Sequence, residues 1–361
     1  MEMYRPQATV VALFLVALLM LVVCFAPVQS IASTDPSAED VLNSVNGDQI
    51  VSTISDLEAI GTRAFYLNQS NEAAAYIYER FSQLGLDVEY QDFMAGSHPS
   101  KNVVATQKGS LDQSRQFLVG AHYDSENSMS SSLVLGQNLP APGADDDASG
   151  IAAMIGIATV LQGLRLNYTV KYVAFGAEES GYDHSGGLKG SRHFAGQESA
   201  KNATYEESAI LDMIGYRGSS VNHATVVIND DNHLANSMIK AVSDHDINVT
   251  ISLVIDPAVS YSDHYSFWVA GYPSMLVCEA AYDAGLPYEF NPNYHTEDDT
   301  VDQLSVEQMT EVSKALLGGM LTLNGFASDE SGTSIEAQLL LVALCVVTAV
   351  VILLYISKVR R

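Results

Sequence analysis

Basic side chains are scarce: 17 Lys and Arg stand against 43 Asp and Glu, a formal charge of −26 over 361 residues. So acidic a chain repels phosphate backbones, which excludes nucleic acid as a partner. Cysteine is nearly absent. Its three copies (Cys24, Cys278, Cys345) cannot build a disulfide framework, and two of them fall in apolar runs near the chain ends. Repeats of about 20–50 residues are missing, so a solenoid or propeller is not expected. No Gly-x-Ser-x-Gly elbow and no His-Glu-x-x-His pair occurs, which sets aside elbow-type serine hydrolases and single-zinc helical proteases. Apolar surface, by contrast, is plentiful. Hydrophobic residues make up 47%, with 18 Tyr and 11 Phe, enough for a packed core and against global disorder.

Both ends are written for a membrane. Residues 8–26 are apolar except for Thr9, and Arg5 precedes them. Residues 1–33 therefore read as a signal peptide or, if uncleaved, an N-terminal anchor. Residues 337–356 form a second apolar run with Gln338 and Thr348 as its clearly polar members, followed by Lys358, Arg360 and Arg361. A transmembrane helix over 335–357, reached through a polar linker at 328–334, is the expectation. The positive-inside rule puts the basic tail 358–361 in the cytoplasm and the middle of the chain outside. That makes a single-pass protein of the cell membrane with an extracytoplasmic domain, or a two-pass one if the first segment stays. Sequons at Asn68, Asn167, Asn202 and Asn248 are compatible with that side.

The middle, residues 35–327, alternates short β-rich runs with helical patterns. Helices are predicted over 72–84, 149–161, 233–242 and 306–323. Strands are predicted over 88–93, 102–106, 116–122, 169–175, 208–213, 224–228, 248–255 and 274–277. Runs such as Phe117-Leu118-Val119-Gly120-Ala121 are apolar without alternation, as strands buried on both faces are. The pattern predicts an α/β domain with a mostly parallel central sheet and helices on both faces. Ligands of such sheets gather at the carboxyl ends of the strands.

Metal-ligand residue types sit at those ends. His122 and Asp124 are two apart and point to one side of an extended segment, as an imidazole and its orienting carboxylate would; an ordinary surface His-x-Asp reads the same way. Asp145-Asp146-Asp147 precedes a helix. These residues suit an N-cap or a carboxylate bridging two metals, while the spacing of a calcium loop is absent. Glu178-Glu179 closes an apolar strand, where adjacent carboxylates are costly unless solvated or paired with cations. Asp212 lies among Ile210, Leu211, Met213 and Ile214 with no Lys or Arg before Arg217. Tyr294-His295 follows a Pro/Asn-rich loop.

Taken together, His-Tyr-Asp-Ser, Gly-Ala-Asp-Asp-Asp-Ala-Ser-Gly, Ala-Glu-Glu, Leu-Asp-Met and Tyr-His-Thr-x-x-Asp-Thr resemble, in sequence and order over about residues 50–325, the zinc-dependent exopeptidases of the M28 type. The resemblance implies two Zn2+ ions bridged by Asp146, with His122 and Asp212 completing one shell and Glu179 and His295 the other. It implies Glu178 as general base, Asp124 orienting His122, Tyr294 stabilising the tetrahedral intermediate, and a cis peptide between Asp146 and Asp147. The substrates would be peptides or small proteins. Carboxylate oxygens and imidazole nitrogens are the donors zinc favours.

Departures from the aminopeptidase pattern are a longer stretch over 180–186 and no cysteine at 258–261, ahead of Ser262-Asp263-His264. His264 is expected to support the pocket, not to ligate. His98, His184, His193, His223, His233 and His245 are expected at the surface. An aminopeptidase is the leading reading, since few arginines are available to hold a C-terminal carboxylate; Arg192 and Arg217 are the nearest to the motifs. A carboxypeptidase, a glutaminyl-cyclase-like transferase with one zinc, and a silent binding domain are the alternatives.

Overall fold

Strands with no polar face need a layer on each side, and that demand shapes the molecule. The computed structural model describes residues 36–127, 139–179, 187–218, 221–280 and 289–328. Its helices are α1 (Ala38–Leu42), α2 (Gly47–Ile60), α3 (Asn68–Gln83), α4 (Ala148–Gln162), α5 (Lys189–Ala200), α6 (His233–Asp244), α7 (His264–Ala270) and α8 (Val306–Asn324). Its strands are β1 (Asp87–Ala95), β2 (His98–Gln107), β3 (Asp112–His122), β4 (Leu164–Leu166), β5 (Tyr168–Phe175), β6 (Thr204–Leu211), β7 (His223–Ile228), β8 (Thr250–Ile255), β9 (Met275–Cys278) and β10 (Phe326–Ser328). Eight strands form one sheet in the order β1-β2-β5-β3-β6-β9-β7-β8, and β4 pairs with β10 apart from it. The predicted membrane segments lie outside the described residues. Among the described residues no helix is long and apolar enough to cross a membrane.

Side chains of β3 alternate between two cores. Phe117, Val119 and Ala121 join the residues of α1–α4, α6 and α8, whereas Leu118 joins Phe194 of α5 and Phe267 of α7 on the other face. α4 is apolar almost all round and is buried along most of its length, started by the Asp147 carboxylate accepting from the Gly150 N–H at 2.9 Å. Gly120 has no substitute here, because a Cβ would stand 2.5 Å from the Phe175 ring and 2.9 Å from Ile210.

The sheet is mixed: its central strands β5-β3-β6-β9 are parallel, as expected, and antiparallel pairings flank them. Four pairings are parallel (β3 with β5 and β6, β6 with β9, β7 with β8), and three are antiparallel (β1 with β2, β2 with β5, β7 with β9). The turn between β1 and β2 is too short for a crossover, so those strands must run in opposite senses. The consequence is directional. β3, β5, β6 and β9 all end at one edge of the sheet, and β7 and β8 end at the other. Strand β6 stops at Leu211, so Asp212 stands just past its end and not inside it. His223, expected at the surface, is fully buried on β7, where its N–H donates to Gln308 Oε1 at 2.8 Å and its carbonyl accepts from the same amide.

α5 is held to the sheet by Glu198. This buried carboxylate accepts from Lys171 Nζ of β5 (2.8 Å), Lys201 Nζ (2.9 Å) and the Tyr205 hydroxyl of β6 (2.7 Å). Burial would raise its pKa, but the three donors outweigh that and hold it below the ordinary 4.5. A depressed folded value gives stability that is complete above the unfolded pKa and lost as pH falls through the folded one. Glu198→Gln should therefore lower unfolding free energy by about 1.5–3 kcal/mol at pH 7. In urea titrations the gap from wild type should narrow as pH falls below 4.5; a gap independent of pH would contradict the assignment.

Candidate metal centre

Loops at the common strand edge bring the candidate side chains together. His122 is the last residue of β3, Glu178 and Glu179 follow β5 and Asp212 follows β6. Asp146 arrives from the loop before α4, and Tyr294 and His295 from the loop before α8. Asp146 stands between the imidazoles, with Oδ1 3.1 Å from His122 Nε2 and Oδ2 3.0 Å from His295 Nε2. His122 Nε2 also faces Asp212 Oδ1 at 3.7 Å, and His295 Nε2 faces Glu179 Oε1 at 2.9 Å. Ligand atoms of His122, Asp146 and Asp212 lie within 4.8 Å of one another, as do those of His122, Glu178 and Glu179 and those of Glu126, Glu179 and His295.

Each Nε2 thus meets two carboxylates but can offer at most one proton, and among the described residues no Lys or Arg is bonded to His122, Asp146, Glu179, Asp212 or His295. Carboxylates and imidazoles that exceed their protons in this way fit divalent cations, and the donor set is one that zinc accepts. The electrostatics show the same strain. Burial alone would depress both imidazoles, yet Glu179 and Asp146 push His295 up to about 12, and Asp146 and Asp212 push His122 well above its ordinary value. Burial raises Glu179 to about 8 and Glu178 well above the carboxylate range. Asp146 goes the other way: burial would raise it, but the two imidazoles hold it well below the usual range.

The three consecutive aspartates divide the work. Asp145 accepts from the Gly215 N–H (2.8 Å) and Asn291 Nδ2 (2.7 Å), whereas Asp147 caps α4 and accepts from the His122 N–H (3.1 Å). Asp146 alone faces the imidazoles, and the peptide between it and Asp147 is cis, as the resemblance implied. Asp124 is fully buried. Its carboxylate accepts from the N–H groups of Glu178 (3.0 Å) and Glu179 (3.2 Å), and it is the Asp124 main-chain carbonyl, at 3.1 Å, that lies closer to His122 Nδ1 than the carboxylate at 3.8 Å. Asp124 thus orients His122 through its backbone and the two glutamates through its side chain. Tyr294 stacks on the His295 ring at 3.7 Å between centroids. His264 is buried at the start of α7, with Nε2 3.2 Å from the Val259 carbonyl and its ring edge-on to Trp268, and burial pushes it down to about 4.

A cavity of about 470 Å3 opens on this group; His122, Asp146, Glu178, Glu179, Asp212, Tyr294 and His295 line it, and Asp124 and His264 do not. Left-handed φ values at Ala177 (56°), Met213 (56°) and His295 (57°) aim the adjoining side chains, a conformation uncommon outside glycine and frequent at functional sites.

Sequence reasoning missed several contributors. Glu126 reaches His295 Nδ1 at 3.7 Å, and its spacing of two from Asp124 was the available signal. Asp299 receives the N–H groups of Asp145 (2.9 Å) and Asp146 (3.1 Å) and so shapes the loop; it is the aspartate of the Tyr-His-Thr-x-x-Asp-Thr run. Asp263, fully buried and pushed up to about 7 by burial with Asp212 and Asp124 adding to it, stands behind the group. Arg63 gave no signal at all. Its buried guanidinium donates to the carbonyls of Tyr123 (2.7 Å), Pro142 and Gly143 (2.8 Å), tying the His122 and Asp146 loops together. Gly143 (φ 58°) lets that loop curl, since a Cβ there would lie 2.4 Å from the Asp146 carbonyl.

Fold and site define the class, an α/β protein with a candidate metal centre at the carboxyl ends of its strands. Residues 102–320 match Peptidase family M28. The chain is 29% identical over 281 residues to the YfbL protein of Escherichia coli (strain K12), covering 71% of this chain and 80% of that one. It is 29% identical over 314 residues to leucine aminopeptidase 1 of Fusarium vanettenii, covering 81% and 74%. Its fold is similar to that of BSAP, a zinc aminopeptidase from Bacillus subtilis, with a TM-score of 0.65 at 18% identity over 80% of this chain and 97% of that one. The chain belongs to peptidase family M28, and is a metallopeptidase.

Arg63 tests how the site is held. Arg63→Met leaves three carbonyls without their donor and should cost about 3–5 kcal/mol of stability in urea unfolding; a loss below about 1 kcal/mol would show that the loops are held by other contacts.

Proposed function

We propose that this chain is a membrane-tethered, outward-facing aminopeptidase working with two zinc ions. Asp146 between two imidazoles is the observation that carries the reading. Asp146, His122 and Asp212 would hold one ion, and Asp146, Glu179 and His295 the other. When bound, such ions polarise a peptide carbonyl and acidify water. Glu178 lies beside both His122 and Glu179 and is not needed as a ligand in this set. Burial raises its affinity for a proton, which suits a base that takes one from the attacking water and returns it to the departing amine. Asp124 keeps Glu178 and Glu179 in register by binding both N–H groups. Burial and the neighbouring carboxylates push Tyr294 far above its ordinary value, so its hydroxyl stays protonated and can donate to the oxygen that gains charge in the tetrahedral intermediate.

Amino-terminal polarity is supported by the names of the similar proteins, a leucine aminopeptidase and a zinc aminopeptidase. One observation favours the carboxypeptidase alternative: Arg192 lines the cavity. Arg217 does not, being paired with Glu307 at 3.3 Å. Tethering by residues 335–357, with the domain outside the cell, is supported by the apolar run and its basic end.

Two measurements test the proposal. Glu178→Gln should retain its zinc, about two per chain by elemental analysis, while kcat falls by about 10²–10⁴-fold; full turnover in this variant would remove the base from Glu178. Acetylating the amine of a leucyl peptide should abolish cleavage while a carboxyl-amidated peptide is still cut. The reverse pattern would make the enzyme a carboxypeptidase.

A further inference from the structure

Charge in the cavity is distributed unevenly. Glu126, Asp146, Glu178, Glu179 and Asp212 all face it, and Arg192 is its one Lys or Arg among the described residues. Arg192 belongs to the first turn of α5, with its N–H donating to the Leu188 carbonyl at 3.0 Å. Its side chain is exposed, and its guanidinium makes no hydrogen bond or ion pair among the described residues. Of the other described arginines, Arg63 is buried against carbonyls, Arg80 donates to the Tyr76 hydroxyl, Arg115 is paired with Glu206 at 2.8 Å and Arg217 with Glu307 at 3.3 Å, while Arg165, exposed like Arg192, is not part of the cavity lining. A cation left unpaired in the lining of the cavity has capacity for an anion brought from outside.

We propose that Arg192 is a specificity-determining residue that binds the carboxylate of the departing part of the substrate, so that short peptides with a free C-terminus are preferred. The inference rests on the aminopeptidase reading and names its substrate class. A planar guanidinium matches a carboxylate with two parallel hydrogen bonds, a geometry that lysine cannot reproduce. Without Arg192 the described lining of the cavity would offer that carboxylate no Lys or Arg. Size agrees: 470 Å3 lies in the range of small-molecule sites and takes a peptide of roughly two to three residues. A zwitterionic dipeptide then has its carboxylate met by Arg192.

The test compares Leu-Leu, Leu-Leu-amide and leucine p-nitroanilide with the full-length zinc-loaded protein. Wild type should cut Leu-Leu with a kcat/KM about 10- to 100-fold above that of the amide, mostly through KM. In Arg192→Met that ratio should collapse towards one, and Arg192→Lys should recover part of it. In the Glu178→Gln background the same ratio should appear in Kd by calorimetry, without turnover. If wild type cuts the anilide yet treats the dipeptide and its amide alike, or if Arg192→Met keeps the ratio, the anchor is overturned and the aminopeptidase reading stands. If none of the three is cut, that reading falls and takes the anchor with it.

Discussion

One electrostatic excess organises this molecule: four carboxylates and two imidazoles share a small space with too few protons to satisfy them. Asp146 has an imidazole at each oxygen, and each imidazole already faces another carboxylate. Such a group is costly to assemble from a flexible chain, because every member must be desolvated and brought against its like. A divalent cation held by these groups would remove the cost. The rest of the architecture serves to hold these groups together whether or not their own charges favour it.

That holding is done largely by backbone. β3, β5 and β6 end in register at one edge, so three of the carriers are spaced by the sheet itself. The loops beyond the edge are tied by side chains that bind main-chain atoms: Arg63 to three carbonyls, Asp299 to two N–H groups of the aspartate loop, Asp124 to those of the glutamate pair. Each tie uses a fixed dipole, which leaves the carboxylates of Asp146, Glu178 and Glu179 free to face the cavity. The order of the three aspartates follows from the same need, with the outer two spent on loop and helix and the middle one presented to the site.

Much of the scaffold was legible, and the gaps have physical causes. Strands buried on both faces announce themselves by apolar runs, and β3 and β5 appeared where such runs lie. α2 escaped notice although Ile50, Ile54 and Leu57 keep helical spacing, because its polar and β-branched residues dilute the stripe. α5 is polar along most of its surface and gave little pattern. The antiparallel pairings were invisible because an apolar run carries no record of its direction. His223 was placed at the surface for want of a partner nearby in sequence, yet Gln308, 85 residues away, binds its backbone.

What the sequence by itself determined is the chemistry: which residues could ligate, and that they lie at the ends of strands, because donor type and the period of the apolar pattern are local properties. Proximity was decided by tertiary structure alone. The buried Arg63, the Asp299 brace and the placing of Arg192 in the same cavity lining as five carboxylates arise where segments far apart in the chain meet, and long-range Coulomb and hydrogen-bond terms depend on distance in space rather than on distance along the chain.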